Sequence, residues 1–127
     1  MSNQPPKRIA IDARNIFNST GRVPAKMLEY LQTVDTTNEY LVLLLKKDME
    51  KWQASAPNFI KVEANFPNYT FSEQIGFALK LYRLKPDLVH FTFQARPILY
   101  FGKSIMNVHD LQLMRVKNYD MPWLVFE

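Results

Sequence analysis

Two hydrophobic periods take turns along this chain, and that alternation restricts its fold more than any other feature. Short apolar runs, the pattern of strands buried on both faces, are separated by stretches whose apolar residues recur every three or four positions. The first run is Arg8-Ile9-Ala10-Ile11-Asp12-Ala13. A turn-rich loop over residues 15–22 follows, carrying Asn18-Ser19-Thr20-Gly21. A helix is then expected over residues 23–34, with Val23, Met27, Leu31 and Val34 on one stripe and Pro24 in the first turn, where its missing N–H costs nothing. Residues 40–45 (YLVLLL) give a second buried strand, and residues 48–56 a short helix closed by Pro57. Residues 59–64 (FIKVEA) alternate apolar and polar, the pattern of a more exposed edge strand.

Thr70-Phe71-Ser72-Glu73 then has the spacing of a capping box, Thr70 as N-cap and Glu73 reaching back. The helix it opens places Ile75, Leu79 and Tyr82 on one face and stops before Pro86. Gly76 inside it costs about 1 kcal/mol relative to alanine, a deficit that tertiary packing can override. Residues 88–92 and 104–108 supply a fourth and a fifth strand. Strands and helices that alternate through short connections imply a parallel sheet. The expected fold is α/β, a Rossmann-like doubly wound sheet of about five strands with helices on both faces.

With 127 residues, the chain suffices for one domain. The absence of cysteine removes disulfides, thiolate metal sites and thiol nucleophiles. Sixteen basic residues against twelve acidic ones give a net charge of +4, but they are scattered, with pairs only at Lys7-Arg8 and Lys46-Lys47. This is the charge of a solvated surface rather than a nucleic-acid footprint, so no nucleic-acid partner is expected. No apolar run approaches the ~20 residues of a membrane span, and the polar start lacks a signal-peptide core. A cytoplasmic location is the expectation.

Ligands of open parallel sheets bind beyond the C-terminal strand ends. The order of elements brings three segments there: residues 14–22, residues 93–97, and His109-Asp110. Gly21 stands where a loop enters a helix N-terminus, a place suited to anions, although a plain turn glycine explains it equally. Neither a dinucleotide fingerprint nor a P-loop is present. His109, just past a buried strand, is placed to hydrogen-bond a hydroxyl or carbonyl or to stabilise developing charge; the alternative is a histidine satisfied by backbone at a strand end. His90 lies inside a strand and reads as structural. Arg14, Arg22 and Arg96 are loop arginines able to meet a phosphate or carboxylate, although each alone is more often an ordinary surface arginine. The histidine spacing suits no zinc site, and no nucleophile elbow exists.

Taken together, these residues resemble a known family. Arg8-Ile9-Ala10-Ile11-Asp12-Ala13-Arg14, the Gly21-Arg22 loop before an amphipathic helix, and Asn38-Glu39-Tyr40 resemble the start of the group 1 glycosyltransferases, the large retaining family numbered four. More specific are Lys85-Pro86-Asp87-Leu88-Val89-His90-Phe91 and Asn107-Val108-His109-Asp110-Leu111, in the family's order. The resemblance implies a GT-B fold, in which an N-terminal Rossmann-like domain mainly binds acceptor and a C-terminal one binds the nucleotide-sugar donor. It implies that Gly21 and Arg22 lie near the donor phosphates, that His109 and Asp110 serve the reacting centre, and that Arg14, Gln94 and Arg96 face the acceptor. It implies neither cofactor nor metal, the donor diphosphate being held by basic side chains and helix ends, and it suggests sugar or lipid-linked acceptors and peripheral membrane contact.

Two departures qualify it. The loop before the first helix is poorer in glycine than is usual in the family, and the donor domain's paired glutamates, separated by seven residues, have no counterpart here. Residues 1–127 thus read as an incomplete acceptor-side domain that transfers no sugar alone. The apolar Trp123, Leu124, Val125 and Phe126 are expected to meet the missing domain or a partner chain. The competing readings are a non-catalytic module that docks through those residues and a small nucleotide-binding protein of another class.

Overall fold

The computed structural model describes residues 5–18, 21–93 and 95–106. They form a five-stranded, all-parallel sheet in the order β3-β2-β1-β4-β5. The strands are β1 (Arg8–Asp12), β2 (Glu39–Leu44), β3 (Phe59–Glu63), β4 (Leu88–Phe91) and β5 (Ser104–Met106). This is a Rossmann-like arrangement: strand order reverses between β1 and β4, and β3 takes the edge position its alternating pattern predicts. Asn107 and Val108, the expected end of β5, lie outside the described residues.

Side-chain alternation divides the core into two layers. Ile11, Val42, Leu44 and Phe59 point to one face and pack with Leu28 of α1 (Arg22–Val34). Ala10, Leu41, Leu43, Val89 and Phe91 point to the other. There they meet Phe77, Ala78 and Leu81 from a π-helical turn (Glu73–Phe77) and the α2 helix it leads into (Ala78–Leu84). Helices thus cover both faces. Lys85 closes α2 in the left-handed region (φ 53°), just ahead of Pro86.

Both helices are rotated from the side their apolar stripes predict. α1 buries Pro24 and Leu28; of the predicted stripe Met27 and Leu31 pack, partly buried, against the same core, while Val23 and Val34 are 45% and 55% exposed. On the second helix Ile75, Leu79 and Tyr82 are exposed, and Phe77, Ala78 and Leu81 go in. The helix expected over residues 48–56 is also absent, leaving only a 3₁₀ turn at Lys46–Asp48. In its place the Lys61 ammonium donates to the carbonyls of Met49 and Trp52. Those oxygens are the acceptors a helix would need for itself.

The capping box forms with one shift. The Glu73 N–H donates to Thr70 Oγ1 at 3.2 Å, but Glu73 Oε1 accepts from Tyr69 N–H rather than from Thr70. Gly76 is explained by packing: a Cβ there would stand 2.6 Å from the Phe66 ring, which stacks on Phe77.

Candidate functional site

The reversal of strand order puts the topological switch point at the C-terminal ends of β1 and β4, where a ligand crevice is the rule in such sheets. At that position lies an internal charge cluster. Asp12 closes β1 and Arg14 opens the turn that follows, its backbone N–H donating to Asp12 Oδ1 at 3.1 Å, which brings the two side chains together. Arg14 is only 1% exposed and is gripped from all round. Its Nε and Nη2 donate to the two oxygens of Asp12 at 2.8 and 2.9 Å. Nη2 also donates to the carbonyl of Ala95 at 3.0 Å, and Nη1 to that of Phe66 at 2.6 Å. Glu73 Oε2 lies 2.7 Å from Nη1, a close ion contact off the N–H axis. The guanidinium lies over the Phe77 ring, 4.2 Å from its centroid.

Burial opposes the charge on Arg14. The Asp12 carboxylate, and after it Glu73, outweigh that effect and hold the Arg14 pKa above the usual arginine value. One guanidinium therefore ties together the end of β1, the 64–70 loop, the π-helical turn and the loop after β4. Thr92 adds a further link across the switch point, its hydroxyl donating to the carbonyl of Asp12. Asn15, also buried, exchanges side-chain hydrogen bonds with Asn68 at 3.3 and 2.6 Å. With its donors committed inside the fold, Arg14 positions the rim loops rather than offering a fork to a ligand.

The other expected site residues divide. Gly21 is the N-cap of α1, with its N–H on Asn18 O at 3.0 Å. A Cβ there would stand 2.0 Å from Ile16 O and 2.6 Å from Asn15 O. The glycine is thus needed so that α1 can start against those two carbonyls. Since Pro24 has no N–H and Ala25 N–H bonds Gly21 O, the helix-start donors left without an intrahelical acceptor are those of Arg22 and Val23. The Arg22 side chain is exposed and makes no ion pair or hydrogen bond among the described residues.

Arg96 lies in the loop after β4, its guanidinium 5.5 Å from the Phe91 ring centroid and Nη1 3.5 Å from Ser104 Oγ. The structure therefore joins three of the expected positions into one rim. Gly21 rests on the carbonyls beside Arg14, and Arg14 holds Ala95 next to Arg96. His90 sits within β4 between Ile11 and Ile105, a structural placement. Gln94, His109, Asp110 and residues 123–126 lie outside the described residues. Among the described residues no acidic, histidine or cysteine cluster could hold a metal ion, and no helix is long and apolar enough to cross a membrane.

Asp12, Glu73 and Thr92 escaped the sequence reading as site residues. A signal for the first existed: an aspartate closes an apolar strand with an arginine of opposite charge two positions on. No family model, curated protein or solved structure matches this chain.

Proposed function

We propose that this chain is the acceptor-side, Rossmann-like domain of a retaining glycosyltransferase, which moves a sugar from a nucleotide-sugar donor to a sugar or lipid-linked acceptor. The observation that carries the reading is a coincidence of sequence and geometry. The segments that resemble the family, Asp12 to Arg14 and Gly21-Arg22, fall on the C-terminal edge of the sheet, beside the loop that follows β4. A parallel sheet with its reversal at β1 and β4 supplies the scaffold, and the Arg22 and Val23 N–H groups and the Arg22 side chain, without partners among the described residues, suit a phosphate at the mouth. Catalysis needs charge-stabilising groups from both walls of such a cleft, so these residues alone are expected to bind and not to transfer.

The test is an amide NMR titration of the chain with neutral saccharides, nucleotide sugars and mononucleotides. Saccharide-induced shifts along the C-terminal edge of the sheet support the proposal. Saturable binding of a mononucleotide with no saccharide response anywhere overturns it in favour of a small nucleotide-binding protein. In an enzyme with both domains, His109→Ala should reduce turnover more than acceptor affinity, and equal rates would remove His109 from the reacting centre.

One observation favours a second reading, a docking module. Some of the exposed apolar residues share a helix side: Val23, Tyr30 and Val34 line one side of α1, and Leu79 and Tyr82 one side of α2. Concentration-dependent self-association on size exclusion, abolished by Tyr30→Ser with Val34→Ser, would support docking through α1.

A further inference from the structure

We infer that the groove beyond the C-terminal ends of β2 and β3 is a subsite for an uncharged saccharide, the distal part of the acceptor; the inference rests on the glycosyltransferase reading. The groove encloses about 890 Å³ and lies on the same sheet edge as the switch-point crevice. Nothing among the described residues fills it.

Its lining is what a neutral polyol requires. Leu45, Met49 and Pro67 provide apolar surface for the C–H face of a sugar ring. Around them stand two lysines, Lys46 and Lys47, and two glutamates, Glu50 and Glu63. These four side chains make no ion pair or hydrogen bond among the described residues, although both signs line one groove. Asn65 pins the walls together by accepting from the Lys46 backbone N–H at 3.1 Å, and its own Nδ2 has no partner among the described residues. The set offers donors and acceptors in equal measure with no net charge. A sugar hydroxyl is both donor and acceptor and can use either kind.

A phosphate or carboxylate would find two lysines but also two carboxylates on the same walls, a repulsion that discriminates against charged acceptors. A wholly apolar ligand would strip water from four charges. Phe66 connects the groove to the crevice. It lies between Asn65 and Pro67, and its carbonyl is held by Arg14. A saccharide in the groove therefore extends from the rim at which transfer would occur.

The experiment is an amide NMR titration of the full 127-residue chain with a panel of neutral disaccharides and trisaccharides, with inorganic phosphate and a sugar phosphate as charged probes. The expected result is saturable shifts at residues 45–50 and 63–67 with a neutral saccharide. The affinity should fall about tenfold in Glu63→Gln, an exposed isosteric change that leaves the core untouched. Preferential saturable binding of phosphate or the sugar phosphate at these residues overturns the proposal. So does a panel in which no saccharide binds. Saccharide shifts confined to residues 13–22 and 92–96, and unchanged in Glu63→Gln, overturn the groove alone and leave the glycosyltransferase reading standing. Mononucleotide binding without any saccharide response overturns both.

Discussion

Replacing Arg14 tests whether the crevice is held together by one buried cation. In Arg14→Met the chain keeps comparable side-chain volume but loses four aligned hydrogen bonds, two of them to the Asp12 carboxylate. Among the described residues Asp12 would retain only the Arg14 backbone N–H at 3.1 Å, and Glu73 the N–H of Tyr69 at 3.1 Å. Both carboxylates are fully buried. Removing one partner of a buried charge pair costs about 3–5 kcal/mol, a large share of the 5–15 kcal/mol that typically holds a domain folded. Arg14→Lys keeps the charge and forfeits the fork, so it should lose roughly half as much. Urea denaturation followed by far-UV circular dichroism measures both. A pH signature separates this mechanism from simple loss of packing. A buried carboxylate without a counter-charge favours its protonated form, so the deficit of Arg14→Met should shrink as pH falls from 7 towards 5. Adding Asp12→Asn to Arg14→Met should restore about 2 kcal/mol, because it removes one of the stranded charges. A loss below about 1 kcal/mol with no pH dependence would refute the argument.

Three further outcomes follow from other parts of the fold. Burial pushes the Asp35 carboxyl up, but hydrogen bonds from the Tyr40 hydroxyl, Asn38 and Thr37 outweigh this and lower its pKa from 3.8 to about 2. A depressed folded pKa stabilises above the unfolded value and loses that effect as pH falls through the folded one. Asp35→Asn should therefore cost on the order of 1–2 kcal/mol at pH 7, after allowance for solvent screening, with the difference from wild type closing between about pH 4 and pH 2 in an acid titration of stability. Gly21→Ala should destabilise by about 2 kcal/mol or more, since its Cβ meets backbone oxygen that cannot swing away, whereas Gly76→Ala should stay within about 1 kcal/mol of neutral because helix propensity offsets the displaced Phe66 ring. Thermal melts of the pair check the contrast. Lys61→Met frees the carbonyls of Met49 and Trp52, and an increase in helical circular dichroism would be its signature; an unchanged spectrum would show that Lys61 is not what prevents the helix.

The sheet was legible because its strands are short and almost wholly apolar. Residues 40–45 have no polar side and so belong in the middle of a sheet, while residues 59–64 do and belong at its edge; β2 and β3 lie accordingly. The site was legible only as an address. Strand order placed the loops after β1 and β4 together, yet the functions given to particular arginines came from treating each loop residue as solvent-facing. Arg14 shows why that fails. Its neighbour in sequence, Asp12, makes it an internal counter-ion, and its other partners, Phe66, Glu73 and Ala95, are separated from it by 52 or more positions and cannot be seen by local pattern.

The helices show the limit of periodicity more sharply. A stripe of apolar residues says that one side of a helix prefers to leave water, not which of several neighbours will cover it. In α1 the sheet takes the side bearing Pro24 and Leu28, and on the adjoining side Gln32 Oε1 accepts the Ser55 N–H at 2.6 Å. The Val23, Tyr30 and Val34 side stays exposed, as does Ile105, which shares a face of the sheet with Ile11. The same residues that mispredict the buried face thus mark a surface whose apolar character the described fold does not use. A helix with a second stripe is overdetermined for a lone domain and suited to one that meets another surface. That is what both readings of function require of it: a second domain across a cleft, or a separate partner.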